Sequence, residues 1–188
     1  MRDWVWKLAF LGILIVASCA PKATPTPVEL PSEGAVLEIT SSAFEAEGTI
    51  PSRYTCKGEN VSPPLRWTGV PGEAKSLVLI CDDPDAPRGT FVHWVIFNIP
   101  PSATGLPEGV PPKPALEDGS IQGKNDFGRI GYGGPCPPPG PAHRYFFKLY
   151  ALDISLDLPS GATKEQVLKA MEGHIIAKGS LMGRYAIK

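Results

Sequence analysis

Three apolar stretches limit what this chain can fold into, because each is too continuous for a strand with one wet face. Leu77-Val78-Leu79-Ile80-Cys81 has no polar interruption. Phe91-Val92-His93-Trp94-Val95-Ile96-Phe97-Asn98-Ile99 is dominated by β-branched and aromatic residues and stops at Pro100-Pro101. Arg144-Tyr145-Phe146-Phe147-Lys148-Leu149-Tyr150-Ala151-Leu152 repeats that character. Runs of this kind fit strands covered on both faces. Ala35-Val36-Leu37-Glu38-Ile39-Thr40 reads as the opening strand. Proline (22) and glycine (20) cluster at turns between the runs. The expected fold is mainly β, an antiparallel β-sandwich with a few peripheral helices.

One helix is well signalled. Thr163-Lys164-Glu165-Gln166 has the form of a capping box, and Val167, Leu168, Met171 and Ile175 follow at helical spacing. Gly173 is placed to end or kink it. The tail from Lys178 to Tyr185 reads as a short edge strand. Residues 100–118, proline-rich and without periodicity, read as a long surface loop of the kind that often carries function.

The start of the chain has the composition of an address. Arg2 and Lys7 precede a short apolar run from Leu8 to Ala17, too short to span a bilayer comfortably. Val16-Ala17-Ser18-Cys19 has the pattern of a lipobox, in which the cysteine is lipidated and becomes the mature N-terminus. The alternative is an ordinary secretory signal or an uncleaved anchor. Ala20-Pro21-Lys22-Ala23-Thr24-Pro25-Thr26-Pro27 then gives an extended segment that cannot pack a core. The expected organisation is a leader at 1–18, a tether at 19–34 and one domain at 35–188. The protein would be exported and held on a membrane through Cys19. With Cys19 assigned to lipid, Cys81 sits in an apolar run as a buried small hydrophobe. Cys56 and Cys136 lie in loops and are the pair to form a disulfide outside the cytoplasm; the alternative is three free thiols.

A formal net charge of −1 and the absence of any basic run exclude an ordinary nucleic-acid binder. The residues that carry chemistry are few. Asp82, Asp83 and Asp85 lie where an apolar strand enters the turn Pro84-Asp85-Ala86-Pro87. His93 is set inside an apolar strand, where it needs a partner, and the nearest in sequence are those aspartates. Gly131-Tyr132-Gly133-Gly134-Pro135-Cys136-Pro137-Pro138-Pro139-Gly140-Pro141 mixes residues that permit unusual dihedrals with others that fix them. Such a loop can present backbone N–H groups to a phosphate or carboxylate. His143 and Tyr145 share one side of the next strand, while Arg144 faces away, suited to an ion pair or an aromatic ring.

Asp83-Pro84-Asp85-Ala86-Pro87, His93-Trp94, Gly131-Tyr132-Gly133-Gly134-Pro135 and His143-Arg144-Tyr145 together resemble the phosphatidylethanolamine-binding protein family, in its bacterial and archaeal branch. Tyr54-Thr55-Cys56, Gly58-Glu59-Asn60-Val61-Ser62-Pro63-Pro64-Leu65 and Gly123-Lys124-Asn125-Asp126-Phe127-Gly128 extend the resemblance over roughly residues 36 to 188. It implies a β-sandwich with a small pocket for phosphate-like or carboxylate groups, built from Asp83, Asp85, His93, Gly134, His143 and Tyr145. It also implies a ligand such as an anionic small molecule or phospholipid head group, or else a protease or kinase-pathway partner. No cofactor, resident metal or nucleic acid is expected. Three functions compete: a membrane-tethered binding domain, a protein-interaction module acting through residues 100–118, and a hydrolase using Asp83, Asp85, His93 and His143. The last lacks a metal-ligand spacing motif and a Ser or Cys nucleophile beside a base.

Overall fold

The computed structural model describes residues 35–187. The expected leader, Cys19 and the tether lie outside them. The strands are β1 (Ala35–Val36), β2 (Glu38–Thr40), β3 (Leu65–Thr68), β4 (Ser76–Asp83), β5 (Phe91–Ile99), β6 (Gly105–Leu106), β7 (Ile121–Gln122), β8 (His143–Leu152) and β9 (Ile175–Tyr185). One α-helix, α1 (Lys164–Met171), precedes β9, and a 3-10 turn covers Ser52–Tyr54. A six-stranded sheet has the order β1-β9-β8-β4-β5-β7, and a three-stranded sheet the order β2-β3-β6. Every pairing is antiparallel except β1 with β9.

The two sheets enclose the main core. Ile39, Trp67 and Leu106 from the small sheet meet Leu79, Trp94 and Phe147 from the large one. Each fully buried Leu, Ile or Phe side chain contributes roughly 1.5–3 kcal/mol. On the other side of the large sheet, Val78, Ile80 and Val95 pack against Leu156, Val167 and Met171. β4 is therefore buried along its whole length, as its unbroken apolar run requires. The run at Arg144–Leu152 departs from the expected double cover: in β8 the side chains of Tyr145, Phe147 and Leu149 are buried, while those of Arg144, Phe146 and Lys148 keep a partly exposed outer side, because α1 covers only the β4–β5 half of the sheet.

The capping box at Thr163 forms in both directions. Gln166 N donates to Thr163 Oγ1 at 3.4 Å, and Thr163 N donates to Gln166 Oε1 at 2.8 Å. The helix is shorter than its apolar stripe suggests, because Gly173 takes φ 79° and turns the chain. Ile175 begins β9 opposite Leu152 instead of extending the helix.

Three other expectations change. Residues 35–40 are two strands: β1 joins the large sheet, β2 joins the small one, and Leu37 between them is buried. The tail is no short edge strand. β9 runs for 11 residues beside β8, with β1 and residues 47–50 closing its other side. Gly179 makes this possible, since a Cβ there would strike the Leu37 carbonyl. Residues 100–118 are partly ordered into the sheet through β6 on β3.

Candidate functional site

Adjacent acids at the end of β4 part to opposite faces, as side chains on a strand must. Asp83 turns to the side of the main core, where the turn into Asp85 begins. Its Oδ1 accepts from Asp85 N at 2.8 Å, closing a local turn. Its Oδ2 accepts from His143 Nδ1 at 2.8 Å. Because a carboxylate only accepts, the proton lies on Nδ1, and Nε2 is the nitrogen that His143 keeps for a ligand. The side chains of Asp83 and His143 are 4% and 11% exposed, so the pair is shielded without being sealed.

His93 arrives by a different device. In the β4–β5 ladder Cys81 faces Trp94 and Asp82 faces Val92, so His93 is the extra residue of a β-bulge. Bulges re-aim a side chain. Here the imidazole joins Tyr145, edge to face with centroids 5.2 Å apart, on the same side as Asp83. Its Nδ1 donates to the Gly133 carbonyl at 2.6 Å, which again leaves Nε2. Burial pushes the His93 pKa down, against the smaller upward pulls of the Gly133 carbonyl and the Asp83 charge. The expected pairing of His93 with an aspartate of the turn is thus replaced by a carbonyl partner, and the aspartate's partner is His143.

Asp83, His93 and His143 line one cavity of about 210 Å³. Phe91, Phe127 and Pro138 give it apolar walls, and Phe91 and Phe127 meet edge to face at 4.8 Å. The remaining expected residues stand apart from these walls. Asp85 is turned to Arg144, which donates from Nε at 2.9 Å, from its second guanidinium nitrogen at 2.7 Å and from its backbone N at 2.9 Å. That guanidinium holds the Asp85 carboxyl at about 2. Tyr145 is fully buried, and its hydroxyl makes no hydrogen bond. Burial and then the charge of Asp83, acting without a bond of normal geometry, push its pKa well up, so it stays a proton donor.

Gly134 does not offer its N–H outward. It donates to Asn60 Oδ1 at 2.8 Å, and Gly133 N donates to the His93 carbonyl at 2.9 Å. A Cβ at Gly134 would collide with the Tyr54 carbonyl and Asn60, so glycine is needed there for close packing. The loop is stapled to residues 54–60 by a disulfide between Cys56 and Cys136, Cα atoms 5.4 Å apart, and by Tyr132 Oη donating to the Tyr54 carbonyl at 2.8 Å. Cys136 lines the cavity and Cys81 is buried as a free thiol. The loop is therefore a rigid wall and no nest of N–H donors.

Sequence reasoning missed the Phe91–Phe127 wall. Asp126 holds that wall, since its Oδ2 accepts from Val92 N at 2.7 Å beside the bulge. A larger cavity, about 520 Å³, lies under residues 105–118. Leu106, Val110 and Leu116 line it, with no imidazole in its walls.

The fold and this arrangement define a mainly β protein of two sheets with a small histidine–carboxylate cavity at one end of the larger. The family model for phosphatidylethanolamine-binding protein matches residues 40–186, and the chain belongs to that family. A UPF0098 protein of Methanothermobacter thermautotrophicus is 64% identical over 149 residues, covering 79% of this chain and 98% of the relative. One from Pyrococcus abyssi is 56% identical over 151 residues, covering 79% and 84%. Among solved structures, a putative phosphatidylethanolamine-binding protein homologue from Chlamydia trachomatis is 46% identical with a TM-score of 0.75, covering 81% of this chain and 99% of that one. Escherichia coli YbcL is 33% identical with a TM-score of 0.73 and the same coverage.

Proposed function

We propose that this chain is a membrane-tethered, non-catalytic binding protein whose cavity takes a phosphate-like or carboxylate group, such as the head group of a phospholipid. The observation that carries the reading is the Asp83–His143 pair facing the same small cavity as His93. Asp83 holds the Nδ1 edge of His143, so Nε2 is left for the cavity and donates to an anionic oxygen when the ring carries both protons. His93, kept neutral by burial, offers a lone pair at Nε2 to a protonated oxygen. One donor and one acceptor suit a phosphomonoester that keeps one proton, since its second pKa lies near 6. The family name points to the same chemistry, and the lipobox at Cys19 supports the tether.

Several features favour binding over catalysis. Cys136 is committed to its disulfide and Cys81 is buried away from the cavity. Asp85, needed by a hydrolase that would use four ligands, is engaged by Arg144. A protein-interaction role would use the larger groove under residues 105–118, and substitutions there would leave the small cavity untouched.

Calorimetric titration with phosphoethanolamine between pH 5.5 and 8 tests the reading. Above about pH 6 the ligand loses its second proton, so affinity should fall by at least roughly tenfold across the range. Flat or rising affinity would remove this mechanism. Acetate, ionised throughout, should report only the imidazole and vary less.

A further inference from the structure

The outer side of the large sheet is unevenly covered. α1 and residues 154–162 seal its β4–β5 half. Beyond that cover, β8 and β9 present Arg144, Phe146 and Lys148 opposite Arg184, Met182 and Ser180, and Tyr150, packed against the rim of the cover, stands opposite Lys178. β1 adds Val36, which pairs with Lys178 and is 76% exposed. A shallow groove of about 440 Å³ runs between Val36, Lys148, Tyr150 and Lys178.

The face is cationic after its own ion pairs are counted. Asp82 receives both Lys148 and Lys164, and Asp85 receives Arg144. Arg184 reaches Glu47 only at 3.7 Å, across exposed side chains. Among the described residues Lys178 forms no ion pair. Phe146 lies between Arg144 and Lys148, 5.8 and 5.7 Å from its centroid.

We propose that the β8–β9–β1 face, partly exposed among the described residues, is a docking surface that lies on the anionic head groups of a lipid bilayer. Basic side chains near such a surface gain from its negative potential, and their apolar stems and neighbouring aromatic rings suit the interfacial layer. The choice of a lipid surface over another polyanion comes from chain connectivity and charge. β1 is the first described element, and the segment that begins at Cys19 enters the fold at this edge. A tether of about 16 residues reaches at most ~55 Å, which keeps the face close to the membrane. The chain as a whole is not basic, with a net charge of −1. The inference shares only the tether with the proposed function and makes no use of the cavity.

The test uses the chain from residue 20 onward, without lipid, since Pro31–Lys188 is a compact unit of its own. Co-sedimentation is measured with vesicles of phosphatidylcholine alone and of equal parts phosphatidylcholine and phosphatidylglycerol. Binding is expected only to the anionic vesicles, and should fade with added salt. Each basic residue near the surface contributes roughly fivefold to partitioning. Lys178→Glu with Arg184→Glu should therefore lower binding at least ~30-fold while leaving phosphoethanolamine titration unchanged. Val36→Asp should lower it less, and His143→Ala should leave vesicle binding intact. Three results would each overturn the proposal: no preference for anionic vesicles, a double variant that binds like the parent, or loss caused by His143→Ala alone. Retention on heparin without vesicle binding would assign the face to a soluble polyanion and equally overturn it.

Discussion

Asp82 and Asp83 are neighbours on one strand, both buried, and they do opposite things. Asp82, 0% exposed, faces the helix side and is closed by two ammonium groups, Lys148 at 2.8 Å and Lys164 at 2.5 Å. Lys148 spans both carboxylate oxygens, but only its contact to Oδ2 has hydrogen-bond geometry. Asp83, 3% exposed, faces the cavity and has one imidazole that keeps a second nitrogen free. A buried carboxylate surrounded by cations is finished as a structure. One backed by a single titratable ring still has chemistry to offer. The comparison separates stability from binding, and substitutions can test that separation.

The largest effect is expected at Asp82. Asp82→Ala removes the charge that two lysines share, which by the precedent of broken buried pairs costs about 3 kcal/mol. Both lysines are partly exposed, so the loss belongs at the lower end of that range. Denaturant unfolding should show the drop, while the folded variant still binds phosphoethanolamine. Asp83→Asn reverses the balance. Its amide oxygen can keep the bond from Asp85 N, and its NH2 can donate to Nδ1 of His143 once that ring switches tautomer, so stability should change by only about 1 kcal/mol. Phosphoethanolamine binding should weaken about tenfold or more, since the switched ring is no longer held by a charge-assisted bond in the orientation that meets the anion. If both variants lose binding in proportion to lost stability, the division between the two acids is wrong.

The smallest effect belongs to Asp85. Its carboxyl sits at about 2, below the unfolded value near 3.9. The folded state therefore gains from the ionised form above about pH 4, and that gain disappears as pH falls toward 2. Asp85→Asn should lose that small gain at neutral pH and flatten the acid limb of the stability curve, so that variant and parent converge as pH falls toward 2. The pair is exposed, so added salt should shrink the difference further.

Much of this architecture is legible before any coordinates. The unbroken run at Leu77–Cys81 has to be a strand covered twice, and Thr163 with Gln166 marks a helix start that forms as written. The strand-end aspartate and His143 do meet. What is hidden has physical reasons. Ile175 fits a helical stripe, and only the left-handed turn at Gly173 removes it. β9 contains Lys178, Gly179 and Ser180, a weak strand signature whose glycine is needed for the crossing of Leu37. A bulge has no sequence signature, so the side taken by His93 could not be read from alternation. Gly134 looks like a ligand-facing glycine until its partner Asn60, distant in sequence, is in place. The lysines that close Asp82 come from positions 148 and 164, and nothing local announces them.

The central claim is that His143, backed by Asp83, and His93 meet one anion. The chain's three histidines make a direct test, because His174 lies on the surface with Asp153 and serves as an internal reference. Imidazole nitrogen NMR is recorded at pH 6 while phosphoethanolamine is added. The account predicts that Nε2 of His143 and of His93 shift together and saturate together, with His174 unmoved. Shifts of equal size in all three rings, or none in His143 at millimolar ligand, would contradict it.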